Sequence, residues 1–233
     1  MRSIVMTAGC SGCGTAAVTA AVARQLALQG KKVLLVEATA GLRRMNRLLK
    51  IREEGLFDLS DLLEGRCALE NALLPTRTAG LTLLQGPSAI DWVPQAAGVQ
   101  LLREELSGTE QYEVLLWYCP PGAGALQKGL LPAAETLVLL TEVTPQSIDA
   151  AAKTADWWAG QGARNLRTVF NRVGRRLPKD LGYPHLDAVL DAIGARLLGM
   201  IPEGADLPYS AATGNIAARL CGESCPLLAV YRP

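Results

Sequence analysis

The stretch Gly9-Cys10-Ser11-Gly12-Cys13-Gly14-Thr15-Ala16 lies between a short apolar run and an Ala-rich segment, and this arrangement decides the fold. The run before it, residues 3–8, has the length and composition of a buried strand. The segment after it, Ala16 to Gln29, is dense in Ala, Leu and Val and is followed by Gly30, so it predicts a helix. A glycine loop between a strand and a helix is typical of a phosphate-binding loop.

The side chains that give such a loop its chemistry are replaced in this chain. In the pattern G-x-x-x-x-G-K-[ST], backbone N–H groups face phosphates, the Lys reaches the β- and γ-phosphates, and the hydroxyl binds Mg²⁺. Gly9 and Gly14 keep the spacing, but Thr15 stands at the Lys position and Ala16 at the hydroxyl position. The helix N-terminus still presents oriented N–H groups, so we expect weak anion affinity without hydrolysis.

The rest of the chain alternates short apolar runs with helical patterns. This alternation predicts one α/β domain, residues 1–233, with a single doubly wound, mainly parallel sheet flanked by helices. We predict later strands at 32–36, 81–84, 112–117, 136–140, 167–170 and 197–201, and later helices at 59–63, 99–106, 146–158, 185–193 and 215–220. The segment 172–184, rich in Arg, Lys, Gly and Pro, predicts a surface loop.

Composition narrows the functional class. A hydrophobic fraction of 49% suits a buried core, and a net charge of +1 argues against a broad surface for nucleic acid or membranes. The apolar runs are too short for a transmembrane helix, and the N-terminus lacks a signal-peptide pattern, so we expect a cytoplasmic protein. The six cysteines, at positions 10, 13, 67, 119, 221 and 225, are then expected to be reduced thiols, metal ligands or packing residues.

Several segments together resemble the MinD/ParA family of ATPases, whose deviant Walker A loop, K-G-G-V-G-K-T-T, would begin here at Cys10. Similar segments lie at 30–44, 58–73, 120–122, 141–145, 170–172 and 198–203, so the resemblance covers nearly the whole chain. The loop together with Gly41-Leu42-Arg43 favours MinD over ParA relatives in general. The resemblance implies a P-loop NTPase-like fold of the SIMIBI class and a role in division-site placement or partitioning.

Aligned with the family, the chain lacks the catalytic residues. The signature Lys, the Walker Lys and the Mg²⁺-binding Thr align with Cys10, Thr15 and Ala16. The switch carboxylates align with Glu37 and Thr39, and the Walker B Asp aligns with Tyr118, which either fills the Mg²⁺ position together with Trp117 or packs in the core. The vestigial nucleotide site comprises Gly9, Cys10, Ser11, Gly12, Cys13, Gly14, Thr15, Ala16, Thr39, Tyr118, Asn171 and Arg172, of which the last two keep the family's base-recognition pattern.

These losses predict a pseudo-ATPase with no catalytic residue and no cofactor. Phosphoryl transfer depends on positioning and charge neutralisation, and loss of one preorganised donor costs on the order of 10²–10³ in rate. A second interpretation is weak ATP binding with slow or no hydrolysis.

A third interpretation is a thiol-based metal or redox sensor. Cys10-Ser11-Gly12-Cys13 is a C-x-x-C motif at a helix N-terminus, where the dipole lowers a thiol pKa. With Cys119 beside the loop, three thiols would form a Zn²⁺ or Fe–S site. The alternative is that these cysteines only pack in a disused pocket.

The family's face-to-face dimers imply a homodimer or a heterodimer with an active family member. The run Arg43-Arg44-Met45-Asn46-Arg47 indicates either a solvated helix face or a site for an acidic partner. Residues 220–233, interrupted by Gly222 and Pro226 and carrying one basic residue, do not have the pattern of an amphipathic membrane anchor. We therefore expect no membrane anchor and no direct contact with nucleic acid.

Overall fold

The apolar runs that alternate with helical segments form the strands of one sheet. The computed structural model describes residues 1–41, 43–52, 54–176, 178, 181–207 and 210–227. Its strands are β1 (Arg2–Ala8), β2 (Val33–Glu37), β3 (Leu73–Pro75), β4 (Leu81–Leu84), β5 (Val114–Tyr118), β6 (Thr136–Glu142), β7 (Leu166–Val173) and β8 (Arg196–Pro202). Its helices are α1 (Thr15–Leu28), α2 (Arg44–Leu48), α3 (Leu59–Leu63), α4 (Leu69–Ala72), α5 (Ala96–Gly108), α6 (Ala125–Gly129), α7 (Pro145–Gly160), α8 (Leu186–Ile193) and α9 (Ala211–Leu220), with a 3₁₀ turn at Leu131–Ala133.

The sheet has the strand order β3-β4-β2-β5-β1-β6-β7-β8. Only the β3–β4 pair is antiparallel, and every other neighbouring pair is parallel. Parallel neighbours need crossover connections, which place helices on both faces and bury the central strands as near-continuous apolar runs. The predicted doubly wound, mainly parallel α/β sheet is confirmed.

Two apolar layers cover the sheet. Along β1, Ile4 and Met6 pack with α1, α2 and α9, which we call the α1 layer. Val5, between them, packs with α3, α5, α7 and α8, which we call the α7 layer. Successive residues of a strand point to opposite layers. This alternation therefore determines the layer of each residue at the strand ends that form the site.

The structure differs from the sequence-based prediction at several short elements. The three-residue strand β3 and the short helices α4 and α6 were not predicted, because four or five residues give little periodic signal. Helix α2 was foreseen only as one interpretation of the run at 43–47. Helix α9 begins at Ala211 and not at residue 215, since the Ser210 hydroxyl accepts a hydrogen bond from the Ala212 N–H at 3.1 Å.

The predicted loop 172–184 also begins later than expected, because β7 continues to Val173. Residues 177, 179 and 180 of that loop, and 228–233 of the C-terminal segment, lie outside the described residues. Within the described part of the chain, no helix combines the length and apolar character needed to cross a membrane.

Candidate functional site

The candidate site lies at the carboxyl edge of the sheet, where β1 runs between β5 and β6. In doubly wound sheets, this edge forms a crevice for ligands where the chain crosses from one face to the other. A cavity of about 760 Å³ opens there. Its described lining residues are Ser11, Gly12, Gly14, Thr15, Ala16, Ala17, Thr39, Arg44, Arg47, Leu48, Tyr118, Pro120 and Pro121.

The glycines at the two ends of the loop have separate structural reasons. A Cβ on Gly9 would lie 2.3 Å from the carbonyl carbon of Ala150, so only glycine lets the loop pack directly on the backbone of α7. Gly14, at the N-cap of α1, has a φ of 80° in the left-handed region that favours glycine. The family-like spacing of these two residues therefore preserves the backbone shape of the loop.

Asn171 and Arg172 hold the loop from the β7 side. Asn171 is buried, and its Nδ2 donates a hydrogen bond to the Cys13 carbonyl at 2.9 Å. The Arg172 Nη1 donates to the Gly12 carbonyl at 2.9 Å and forms an ion pair with Glu142 at 2.5 Å. The resemblance assigned these two residues to base recognition, but here they brace the back of the loop and do not line the cavity.

Tyr118 and Thr39 are the two residues that the resemblance aligns with carboxylates of the family. Tyr118 pairs in register with Met6 on β1 and Glu37 on β2, is 2% exposed, and packs in the α1 layer while lining the cavity. Burial raises the pKa of its hydroxyl, whereas the nearby Thr39 hydroxyl lowers it. Thr39 is 8% exposed, and its hydroxyl lies close to the Tyr118 hydroxyl. Trp117, in contrast, is fully buried in the α7 layer.

Glu37, the remaining carboxylate among the aligned switch positions, is tied to the start of α2. Its Oε1 accepts a hydrogen bond from the Arg44 N–H at 2.8 Å, and its Oε2 accepts one from the Met45 N–H at 3.3 Å. Burial raises the pKa of Glu37, although these backbone hydrogen bonds oppose the rise. Glu37 is fully buried, and no described residue that lines the cavity carries a carboxylate.

Capping by Glu37 brings two arginines to the cavity. Arg44 and Arg47 are three residues apart on α2, a spacing that places both side chains on one face of a helix. Both are exposed and both line the cavity. The sequence indicated either a solvated helix face or a partner site for this run. The i, i+3 spacing of the two arginines was the signal that could have placed both of them at one cavity.

The cysteines do not meet as the thiol hypothesis required. Cys10 and Cys13 are close, with their sulfurs 3.4 Å apart. Cys119 lies in the α7 layer while Cys13 lies in the α1 layer, because strand residues alternate and Tyr118 takes the α1 side. The expected three-thiol cluster is therefore wrong, and the described residues hold no group of three or more potential metal ligands drawn from His, Cys, Asp and Glu.

The thiol pKa values also move opposite to the expectation. Burial, together with the neighbouring Cys10 thiol, raises the pKa of Cys13 to about 11. Burial raises the pKa of Cys119 to about 12. Desolvation disfavours the thiolate form of both groups, so they are weak nucleophiles near neutral pH.

The chain was compared with protein-family models, curated proteins and solved structures. No family model matches the chain. The putative septum site-determining protein MinD of Oltmannsiellopsis viridis is 32% identical over 87% of this chain, which spans 64% of that relative's length. The septum site-determining protein MinD of Bacillus subtilis is 26% identical over 97% of this chain and 91% of its own length. The MinD chain in the MinC:MinD cell division protein complex of Aquifex aeolicus superposes with a TM-score of 0.85 at 28% identity, covering 98% of this chain and 99% of that one.

The loop, the sheet order and the structural likeness define an α/β protein of the P-loop type found in MinD and ParA ATPases. Several relatives over most of the chain are named MinD. The chain is accordingly similar to septum site-determining MinD proteins over most of its own length.

Proposed function

We propose that this chain is a MinD-like protein that does not hydrolyse ATP and acts through protein interactions in division-site placement or partitioning. The observation that carries the proposal is the absence of any carboxylate among the described residues lining the cavity, together with Tyr118 at the Walker B position. The loop backbone is kept, while the groups that would hold Mg²⁺ are not.

The missing groups bear directly on the chemistry. Mg²⁺ requires hard oxygen ligands in near-octahedral geometry, in nucleotide sites usually a hydroxyl or carboxylate together with the phosphates. Ala16 offers no oxygen on its side chain, Tyr118 offers a neutral hydroxyl, and Glu37 uses both carboxylate oxygens to cap α2. Since removal of one preorganised group costs on the order of 10²–10³ in rate, combined losses leave negligible turnover even when they are not additive.

The interaction role rests on the relatives and on the surface around the cavity. In the Aquifex aeolicus complex, MinD is found with MinC. We propose that the present chain pairs with a second copy or with an active MinD-type relative, and that a MinC-like protein is a candidate partner. Leu48, 43% exposed at the cavity, and Ile90, 86% exposed beside Gly41, are apolar side chains suited to such an interface.

The test of the enzymatic part is phosphate release from ATP in excess Mg²⁺, with an active MinD as positive control. We expect no release above the protein-free blank, and Mg²⁺-dependent turnover that follows the protein through purification would overturn the proposal. The interaction part is tested by size-exclusion chromatography with light scattering, alone and with a MinD-type or MinC-like protein. A chain that stays monomeric and binds neither protein would refute it.

A further inference from the structure

We propose that Cys10 and Cys13 are a reversible dithiol–disulfide pair, so that the loop between β1 and α1 carries a site of oxidative modification. The oxidant is a low-molecular-weight disulfide, a class of reagent that exchanges with protein thiols. The inference goes beyond the proposed function, because it concerns two thiols and holds whether or not the chain hydrolyses ATP. It requires neither Cys119 nor a metal ion.

The distance between the two sulfurs carries the inference. The Cys10 and Cys13 Sγ atoms are 3.4 Å apart, and both cysteines are free thiols. A disulfide bond is about 2.0 Å long, so rotation of the two side chains has to bring the sulfurs closer by roughly 1.4 Å. The two atoms that would form the bond are therefore already in contact in the folded chain.

The backbone of the loop provides the second support. Ser11 and Gly12 form the middle of a turn that begins at Cys10 and ends at Cys13. Such a four-residue turn brings its first and last Cα atoms within about 7 Å, and disulfides join Cα atoms about 4.4–6.8 Å apart. Gly12 has a φ of 93°, a left-handed value that glycine adopts at the third position of a turn without steric cost.

The loop is anchored on both sides of this turn. Before the turn, Gly9 packs directly on the backbone of α7. At its end, the carbonyls of Gly12 and Cys13 accept hydrogen bonds from Arg172 and Asn171, each at 2.9 Å. These contacts hold the backbone in place, so the fold keeps the two cysteines together.

The two thiols differ in their access to solvent. Cys10 is half-buried, whereas Cys13 is 2% exposed and packs in the α1 layer, so a dissolved oxidant reaches Cys10 first. Burial raises the pKa of Cys13 to about 11, which makes this thiol slow toward dissolved reagents. Its reaction with Cys10 is intramolecular, however, and close placement of the two sulfurs offsets the low fraction of thiolate.

The oxidation has two balanced steps, written here for glutathione disulfide. In the first, the Cys10 thiolate attacks one sulfur of the reagent, the sulfur–sulfur bond of the reagent breaks, and one glutathione leaves. In the second, the Cys13 thiolate attacks the Cys10 sulfur of the mixed disulfide, and the second glutathione leaves. The two cysteines lose two electrons to the reagent, and their two protons end on the two glutathione thiols.

Closure of the disulfide affects the cavity wall. Ser11 and Gly12 line the cavity and lie between the two cysteines. A bond between Cys10 and Cys13 closes this turn into a covalent ring and restricts the backbone of both lining residues. The oxidation state of the pair and the shape of this part of the wall are thus linked.

The experiment is oxidation of the full, reduced chain with glutathione disulfide, followed by acid quenching, unfolding, alkylation with N-ethylmaleimide and mass spectrometry. Cleavage after Arg2 and Arg24 gives one peptide that contains Cys10 and Cys13 and no other cysteine. We expect this peptide to lose both alkylation sites and two hydrogen atoms, without bound glutathione. Dithiothreitol should restore both alkylation sites.

Two single variants separate the two steps. Cys13→Ser should stop after the first step and retain one glutathione on Cys10, whereas Cys10→Ser should leave the buried Cys13 unmodified. Ser11→Ala is the matched control, because Ser11 is exposed and lies between the two cysteines, and it should oxidise as the parent does. Circular dichroism verifies the fold of all three variants.

The same oxidation in concentrated urea tests whether the fold brings the thiols together. The equilibrium constant for closing the disulfide in a glutathione buffer should be about tenfold or more larger in the native chain than in the unfolded one. An equal or smaller constant in the native chain overturns the proposal, as does glutathione that persists on Cys10 of the parent. Two thiols that stay alkylated in excess oxidant also overturn it. None of these results depends on ATP turnover, so the proposed function stands or falls separately.

Discussion

Gly9→Ala tests how closely the loop packs on α7. A Cβ at residue 9 would lie 2.3, 2.4 and 2.5 Å from the carbonyl carbon and oxygen of Ala150 and the nitrogen of Ala151. These are backbone atoms in the interior of a 16-residue helix, so no side chain can rotate away to make room. Either the loop or α7 must shift by roughly 1 Å, judged against an ordinary contact of about 3.4 Å or more.

The expected cost lies at the upper end for overpacking, about 3 kcal/mol, because the contact is rigid on both sides. For a chain of this size, that loss lowers Tm by about 6–12 °C. Gly160→Ala provides the matched control, because its Cβ would meet nothing within 4 Å at the exposed end of the same helix. Ala in place of Gly in a helix gains up to about 1 kcal/mol, so this variant should melt slightly higher than the parent.

Differential scanning calorimetry gives the Tm of the parent and the two variants, and urea unfolding gives their free energies of unfolding. The urea experiment adds a check on the m value, which shows whether the unfolding transition itself has changed. A Gly9→Ala protein with the parent's Tm, or one that shifts in the same direction as Gly160→Ala, would contradict the close packing of the loop on α7.

Three further predictions concern stability, thiol reactivity and pH. Asn171→Ala removes the buried hydrogen bond to the Cys13 carbonyl and leaves that acceptor unpaired, so the unfolding free energy should fall by about 1–3 kcal/mol. Asn215→Ala removes a solvent-exposed hydrogen bond from a half-buried residue to the Pro226 carbonyl, so its cost in the same urea assay should be smaller, below about 1 kcal/mol. With pKa values raised to about 11 and about 12, Cys13 and Cys119 should resist iodoacetamide at neutral pH and react only after unfolding; mass spectrometry that finds either one alkylated in the native protein would count against the burial. Burial acts to raise the pKa of Asp58, but hydrogen bonds from neighbouring serines hold it below its usual value. The charged Asp58 therefore stabilises the fold above about pH 4 and loses this effect as the pH falls through the folded-state pKa. Asp58→Ala should then cost about 1–2 kcal/mol near neutral pH and less near pH 3, and an equal cost at both pH values would contradict it.

The sheet was predictable where strands are buried on both faces. Residues 33–36 of β2 and all of β5 are unbroken apolar runs because helices cover both sides of these strands, and such runs are visible without any alignment. Strand β3 was not, since it has three residues, ends in Pro75, and depends on antiparallel pairing with β4 at the edge of the sheet. Its existence follows from a tertiary contact, which leaves no periodic signal.

In the site, too, local sequence motifs were predictable and tertiary contacts were not. Replacement of the Lys and the hydroxyl by Thr15 and Ala16 could be read directly, because a loop motif is local and its spacing is fixed. The position of Arg44 and Arg47 at the cavity could not be predicted from the sequence. Helix α2 is only five residues long, and its start is set by hydrogen bonds to Glu37, seven residues before Arg44. The prediction for Cys119 was wrong for a related reason: adjacency in sequence to the site did not determine which side of the sheet the thiol takes.

Glu37 and Tyr118 together explain why restoring single family residues would not restore the family's chemistry. The two residues are register partners on neighbouring strands, and both are almost completely buried. An Asp in place of Tyr118 would put a second carboxylate beside Glu37 in a desolvated setting, where one of the pair takes up a proton rather than both ionising. Glu37 cannot move to relieve this without releasing the N–H groups of α2 that it holds. A return to metal binding would therefore require the start of α2 to be rebuilt along with the loop.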